Sequence, residues 1–289
     1  MSPELTSLTH TDFAISKDGT KIGYRQYGSG PGVILLHGGL QASQNFTKLA
    51  ELTSDAFTVY VPDRRGRGMS VPSDSFGLQK EVEDVDALLA KTGAHFVFGL
   101  SSGAVLSLQA TLALPAIHKV ALYEPPLPLK GQRSPAYWAS GYEEALRRDD
   151  FATAMVTIVK GTGGTTIFTF LPGFIVRPLM NHFIKAQASR MQPGEVSMQS
   201  LIGAMRFDIQ IVKDMEEVPL EKFKAMQADV LLLGGSKSPQ YLKNALDALA
   251  NVLPHPQRVY FQGGDHLTAD NIGKPELVAQ ELRWFFKEN

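Results

Sequence analysis

The chain contains no cysteine. That absence removes disulfides, thiolate nucleophiles and cysteine-ligated metal sites at once. Neither sign of charge is in excess: 28 basic residues stand against 29 acidic ones, a formal net charge of −1. Nucleic acids and anionic membranes call for a concentrated positive field, so neither is expected as a partner. Long apolar runs are missing too. The longest candidate, IFTFLPGFIV at 167–176, is broken by Pro172 and Gly173 and falls short of the roughly 18 residues of a membrane span. The opening MSPELTSLTHTDFAIS has acids and threonines where a secretion signal has a basic start and an apolar core. The expectation is a soluble, cytoplasmic protein.

What is present is apolar bulk. Hydrophobic residues make up 44% of 289, enough for one large α/β domain or a domain with an insertion. FAIS (13–16) and KIGYRQY (21–27) flank Lys17-Asp18-Gly19-Thr20, an Asp-Gly hairpin signal. GVILLHGG (32–39) and FTVYVPD (57–63) are continuous apolar runs that end in Gly or Pro, as buried parallel strands do. Leu78, Val82, Val85, Leu88 and Leu89 recur at helical spacing over 77–92. HFVFGLS (95–101), a helix over 102–114 and KVALYEPP (119–126) continue the alternation, which predicts a parallel sheet covered on both faces. The rhythm breaks over 127–225, where helix-like segments such as EEALRRDD and EKFKAM occur without a convincing strand. Within it, Gly161 to Thr166 is expected to be flexible. DVLLLGG (229–235), a helix over 240–252, RVYFQGG (258–264) and a helix over 275–287 resume the pattern.

Gly99-Leu100-Ser101-Ser102-Gly103 fits G-x-S-x-G between a buried strand and a helix. A turn that tight excludes bulky side chains two residues before and after the serine. It holds the serine out at the strand's carboxyl end, and the following helix adds a positive dipole beside a developing oxyanion. Three further segments accompany it: His37-Gly38-Gly39, the loop Asp63-Arg64-Arg65-Gly66-Arg67-Gly68-Met69-Ser70, and Gly263-Gly264-Asp265-His266. Together, over residues 13–287, they resemble the α/β-hydrolase fold family. The resemblance implies an α/β fold with a mostly parallel, doubly wound sheet of eight strands. Residues 1–126 and 226–289 would form the core, and 127–225 a helical cap.

The resemblance also implies roles. Ser101 is the expected nucleophile and His266 its base. His37 is read as part of the H-G turn. The other five histidines, His10, His95, His118, His182 and His255, are read as surface or packing residues. The oxyanion hole would use the backbone N–H of Ser102 and one from Gly39 or Leu40. One position departs from the pattern. The family's orienting Asp stands in a loop after the strand that follows the cap, and here that loop is Gly235-Ser236-Lys237-Ser238-Pro239, with Ser238 at the acid's position. A hydroxyl offers an imidazolium no full charge. Glu124, at the end of KVALYE, is the leading substitute because its strand opens on the same sheet edge as Ser101. Asp265, Asp63 and a Ser-His dyad without an acid are the other readings.

A serine with an oxyanion hole implies acyl transfer to water, with a small or medium, fairly apolar ester, thioester or lactone as substrate. The insertion's apolar residues, Trp138, Ile167, Phe168, Phe170, Leu171, Phe174, Ile175, Leu179, Met180 and Phe183, are expected to form its own core and to roof the site. Non-hydrolytic chemistry on the same scaffold, as a lyase or in cofactor-free oxygen chemistry, and a catalytically silent ligand binder are the alternatives. No cofactor or metal is expected. No pair of histidines has ligand-like spacing, Gly28 to Gly32 lacks the dinucleotide-binding spacing, and Gly161 to Thr166 lacks a P-loop ending. The sequence leaves monomer and homodimer both open.

Overall fold

Side chains alternate across a β-strand, so a strand buried on both sides feeds two hydrophobic surfaces. That division organises this molecule. The computed structural model describes residues 10–70, 75–163 and 173–287. Eight strands form one sheet: β1 (His10–Ile15), β2 (Lys21–Tyr27), β3 (Gly32–Leu36), β4 (Thr58–Pro62), β5 (Phe96–Leu100), β6 (Lys119–Tyr123), β7 (Asp229–Gly235) and β8 (Gln257–Phe261). Their order across the sheet is β1-β2-β4-β3-β5-β6-β7-β8. The β1–β2 and β2–β4 pairs are antiparallel, and every other pair is parallel.

The helices among the described residues are α1 (Thr47–Thr53), α2 (Leu78–Thr92), α3 (Ser102–Ala113), α4 (Ala139–Arg147), α5 (Phe151–Gly161), α6 (Gly173–Ala188), α7 (Met198–Asp214), α8 (Gln240–Val252) and α9 (Pro275–Lys287). Ile34, Leu36, Val97, Val120, Leu122, Val230 and Leu232 point to one face, where α2, α3 and α8 cover them. Val33, Leu35, Phe98, Ala121, Tyr123, Leu231 and Leu233 point to the other, against α1 and α9. Both faces are dry, which is why these strands read as unbroken apolar runs.

Residues between β6 and β7 contribute α4 to α7 and no strand among the described residues. They carry a separate core around Trp138, Tyr142, Ile158, Ile202 and Ile209. EKFKAM, read as helix-like, is a short 3₁₀ turn (Leu220–Ala225). The apolar residues expected to roof a site divide. Trp138 and Met180 pack in this core. Ile175, Leu179 and Phe183, four residues apart on α6, are exposed. Ile167, Phe168, Phe170, Leu171 and the side chain of Phe174 lie outside the described residues, as do Gly164 to Thr166 of the segment expected to be flexible. No helix of the described residues is long and apolar enough to cross a membrane.

Register fixes what meets at the carboxyl edge. Leu100 pairs with Tyr123, Tyr123 with Leu233, and Gly235 with Phe261. Ser101, Glu124 and Gly234 therefore follow on neighbouring rungs. The backbone N–H of Ser101 donates to Tyr123 O at 2.9 Å, and that of Glu124 to Leu233 O at 3.1 Å.

Candidate active site

The turn from β5 into α3 leaves no space for side chains. A Cβ on Gly99 would run into Gly103 O and Ser107 Oγ, and one on Gly103 into Leu36 O and His37 O. Ser101 itself takes φ 57° and ψ −123°, a strained conformation for a residue with a side chain. It precedes the first turn of α3, whose N–H groups point toward it. The serine is partly exposed, and Gly38 comes so close that a Cβ there would sit 2.9 Å from Ser101 Cβ.

Glu124, like Ser101, takes a positive φ, at 48°. Its side chain is fully buried and does not stop at its own strand. It crosses β7: Oε1 accepts from the Gly235 N–H at 2.6 Å, and Oε2 lies 2.7 Å from His266 Nδ1. Gly235 lets the His266 loop come close to β7, since a Cβ there would lie 2.5 Å from the backbone of Gly264, in the loop that carries His266. The carboxylate binds Nδ1, which selects the tautomer with its proton there and leaves Nε2 as the basic nitrogen. The imidazole is 27% exposed, so Nε2 has access to a ligand. No hydrogen bond joins Ser101 Oγ to the ring among the described residues. Such contacts tighten when substrate is bound.

The other carboxylates are occupied elsewhere. Asp63 accepts from the Ser43 N–H (2.7 Å) and the Met69 N–H (2.9 Å), bracing its own loop. Asp265 accepts from the Leu267 N–H at 3.0 Å. Ser238 is buried, and its hydroxyl has no partner among the described residues.

The H-G turn is built by hydrogen bonds from two sides. Gly38 N–H donates to Gln41 Oε1 (2.8 Å), and Gln41 Nε2 to Asp270 Oδ2 (2.6 Å), tying the turn to the loop of His266. His37 is buried, its Nδ1 bonds Gly38 O, and its Nε2 accepts the Arg64 N–H at 3.2 Å. Burial, with help from Arg67 and Arg64, pushes its pKa well below the ordinary histidine value, so the ring is neutral. Leu40 takes φ 56°, the strained step that turns the chain out of the site. The backbone N–H groups of Gly39, Leu40 and Ser102 have no acceptor in the described chain, so an oxyanion could receive them.

Behind Ser102 lies a buried ionic cluster that the sequence reading did not anticipate. Arg64 pairs with Glu81 of α2 through Nε (2.7 Å) and Nη2 (3.0 Å). Its Nη1 reaches His37 O (3.0 Å), Ser102 Oγ (3.1 Å) and Asp208 Oδ1 of α7 (2.9 Å). Ser102 Oγ donates to Asp208 Oδ1 at 2.6 Å, and Arg67 pairs with Asp208 Oδ2. Burial would raise the Asp208 carboxyl, but Arg67, Arg64 and the Ser102 hydroxyl outweigh it and hold the pKa below the ordinary value. The signal in the sequence was a carboxylate inside the apolar stripe Leu201, Met205, Val212 of α7, where charge is rare unless paired. Among the described residues, no group of three or more His, Asp and Glu side chains could hold a metal ion.

Known proteins share sequence and fold with this chain. The model of the alpha/beta hydrolase family matches residues 33–281. An uncharacterized hydrolase, YraK, of Bacillus subtilis (strain 168) is 32% identical over 124 residues, 41% of this chain and 46% of that protein. N-formylmaleamate deformylase of Pseudomonas putida is 28% identical over 140 residues, 46% of this chain and 52% of that protein. The match thus spans about half the length of these curated relatives. An alpha/beta hydrolase from Sphaerobacter thermophilus superposes with a TM-score of 0.76 at 28% identity, over 96% of this chain and 100% of that one.

Proposed function

The chain belongs to the alpha/beta hydrolase family, and from that premise we propose that it is a serine hydrolase that cleaves a small or medium, fairly apolar ester, thioester or lactone. The observation that carries this reading is the 2.7 Å bond from buried Glu124 to His266 Nδ1, on the same sheet edge as the strained Ser101 elbow. A carboxylate, an imidazole with a free Nε2 and an exposed hydroxyl are the parts that acyl transfer needs.

Ser101 Oγ gives its proton to His266 Nε2 and attacks the substrate carbonyl. The N–H groups of Ser102 and Gly39 receive the oxyanion, and α3 adds its N-terminal dipole. Glu124 stabilises the imidazolium without taking its proton. The tetrahedral intermediate expels the alcohol or thiol, which takes the proton from Nε2. A water molecule then gives a proton to Nε2, attacks the acyl-serine and releases the acid, returning the proton to Ser101. The segment over 127–225 acts as a cap whose inner face shapes the acyl pocket, and the partner is a small molecule rather than nucleic acid or membrane. The deformylase relative makes an amide the second substrate class to assay.

The test is a fluorophosphonate probe read by intact mass and peptide mapping. A single adduct on Ser101, lost in Ser101→Ala, is expected together with turnover of p-nitrophenyl acyl esters. Folded protein that stays unlabelled would favour a ligand-binding role instead.

A further inference from the structure

We propose that Asp208, on α7 of the helical segment, is a positioning residue that sets the spacing of the two halves of the oxyanion hole by acting through Ser102 and Arg64. This rests on the reading of Ser101 as nucleophile.

Each half of the hole comes from a different turn. Ser102 belongs to the β5–α3 elbow, and Gly39 to the turn after β3. A single guanidinium spans them, since Arg64 Nη1 donates to His37 O on one side and Ser102 Oγ on the other. Asp208 Oδ1 holds the middle of that bridge and its Ser102 end, accepting from Arg64 Nη1 and from the Ser102 hydroxyl. Oδ2 is anchored by Arg67. The same helix also meets the other half: a Cβ on Gly39 would lie 2.7 Å from Met205 Sδ and 3.5 Å from Asp208 Cγ. Glu81 balances Arg64 and Asp208 balances Arg67, so the cluster is charge-neutral and buried. Burying four charges costs free energy that an apolar contact would not. Such groups can be retained for a unique geometry rather than for stability. Oxyanion donors require that geometry, because they act only on charge that appears in the transition state.

The experiment uses Ser102→Ala, which keeps the backbone N–H and both arginine pairs of Asp208 while deleting the link to the elbow. The readouts are the rate of Ser101 phosphonylation by a fluorophosphonate, and kcat and KM per labelled site on a p-nitrophenyl ester. We expect kcat and the phosphonylation rate to fall about tenfold, less than the 10²–10³ of removing a donor outright. KM stays unchanged, and affinity for a phenylboronic acid falls in step with kcat. Asp208→Asn falls at least as far, and the double variant falls no further than Asp208→Asn. A purely structural role would lower the labelled fraction and the melting temperature while leaving kcat per labelled site untouched. Wild-type protein labelled at Ser101, with Ser102→Ala reacting within twofold of it, overturns this proposal alone. Wild-type protein that is never labelled overturns the reading of Ser101 and this proposal with it. If Asp208→Asn fails to fold, Ser102→Ala still decides.

Discussion

Two fully or nearly buried carboxylates flank the Ser101 elbow, and their surroundings are opposite. Glu124, after β6, has no cation among the described residues. Its partners are a backbone N–H and the imidazole of His266. Asp208, on α7, has two arginines and a hydroxyl. A carboxylate bonded to an imidazole and to no permanent cation is suited to a positive charge that appears during a reaction. One between permanent cations is suited to holding a shape. Removing each charge should therefore have different consequences: Glu124 governs chemistry at little cost to stability, and Asp208 governs both.

The sharpest break of that comparison is Glu124→Gln. The amide can still accept from the Gly235 N–H but carries no charge and presents a donor or a neutral oxygen to the imidazole. kcat/KM on an acyl ester should fall by roughly 10⁴-fold, while equilibrium urea unfolding changes by no more than about 1 kcal/mol. A loss under tenfold would remove Glu124 from the role of orienter. Next is Gly235→Ala, where the new methyl meets the Gly264 backbone at 2.5 Å and shifts the loop of His266. Overpacking of this kind costs about 1–3 kcal/mol, and a misplacement near 1 Å lowers activity by about 10²-fold. Unchanged kcat would mean that the glycine is not what brings Glu124 and His266 together.

Asp208→Asn should cost about 3–5 kcal/mol, because it strands a buried arginine. Its folded carboxyl has a depressed pKa, through Arg67 and Arg64 and against burial, with Glu81 and neutral His37 packed nearby. A depressed pKa contributes stability that is present above the unfolded value of about 3.9 and lost as pH falls through the folded one. The melting-temperature gap between wild type and Asp208→Asn should thus be constant from pH 7 to 5 and close below about pH 4. A gap that persists unchanged to pH 3 would contradict the ionised pair. The smallest effect belongs to Ser238→Ala. The hydroxyl is buried and unpartnered among the described residues, so its removal should leave kcat/KM within about twofold and stability equal or higher by about 1 kcal/mol.

These two carboxylates also mark how far the sequence could be read. Strand positions were legible because burial on both faces leaves continuous apolar runs between Gly and Pro signals, and helix positions because one buried face leaves apolar residues at spacings of three and four. The helix over 275–287 and the one over 240–252 have those limits in the fold. The elbow was legible because its glycines are enforced by contacts within one turn. Glu124 could only be narrowed to one of several acids, since its distance from His266 depends on the register of β6, β7 and β8 and on a side chain crossing a neighbouring strand. Asp208, Arg64 and Glu81 come from three separate elements, and no spacing along the chain reports their convergence. The apolar ridge Ile175, Leu179, Phe183 was misleading for the same reason: hydrophobicity gives a face, not the partner that covers it.

By itself the sequence determined the alternation that makes a parallel sheet, the tight turn that exposes Ser101 and the late position of His266. These depend on local sterics and on side-chain periodicity, which act over a few residues. Only the tertiary structure decided which carboxylate reaches the imidazole and what stands behind Ser102. Those depend on strand register and on the close approach of the His266 loop to Gly235, neither of which a local pattern reports.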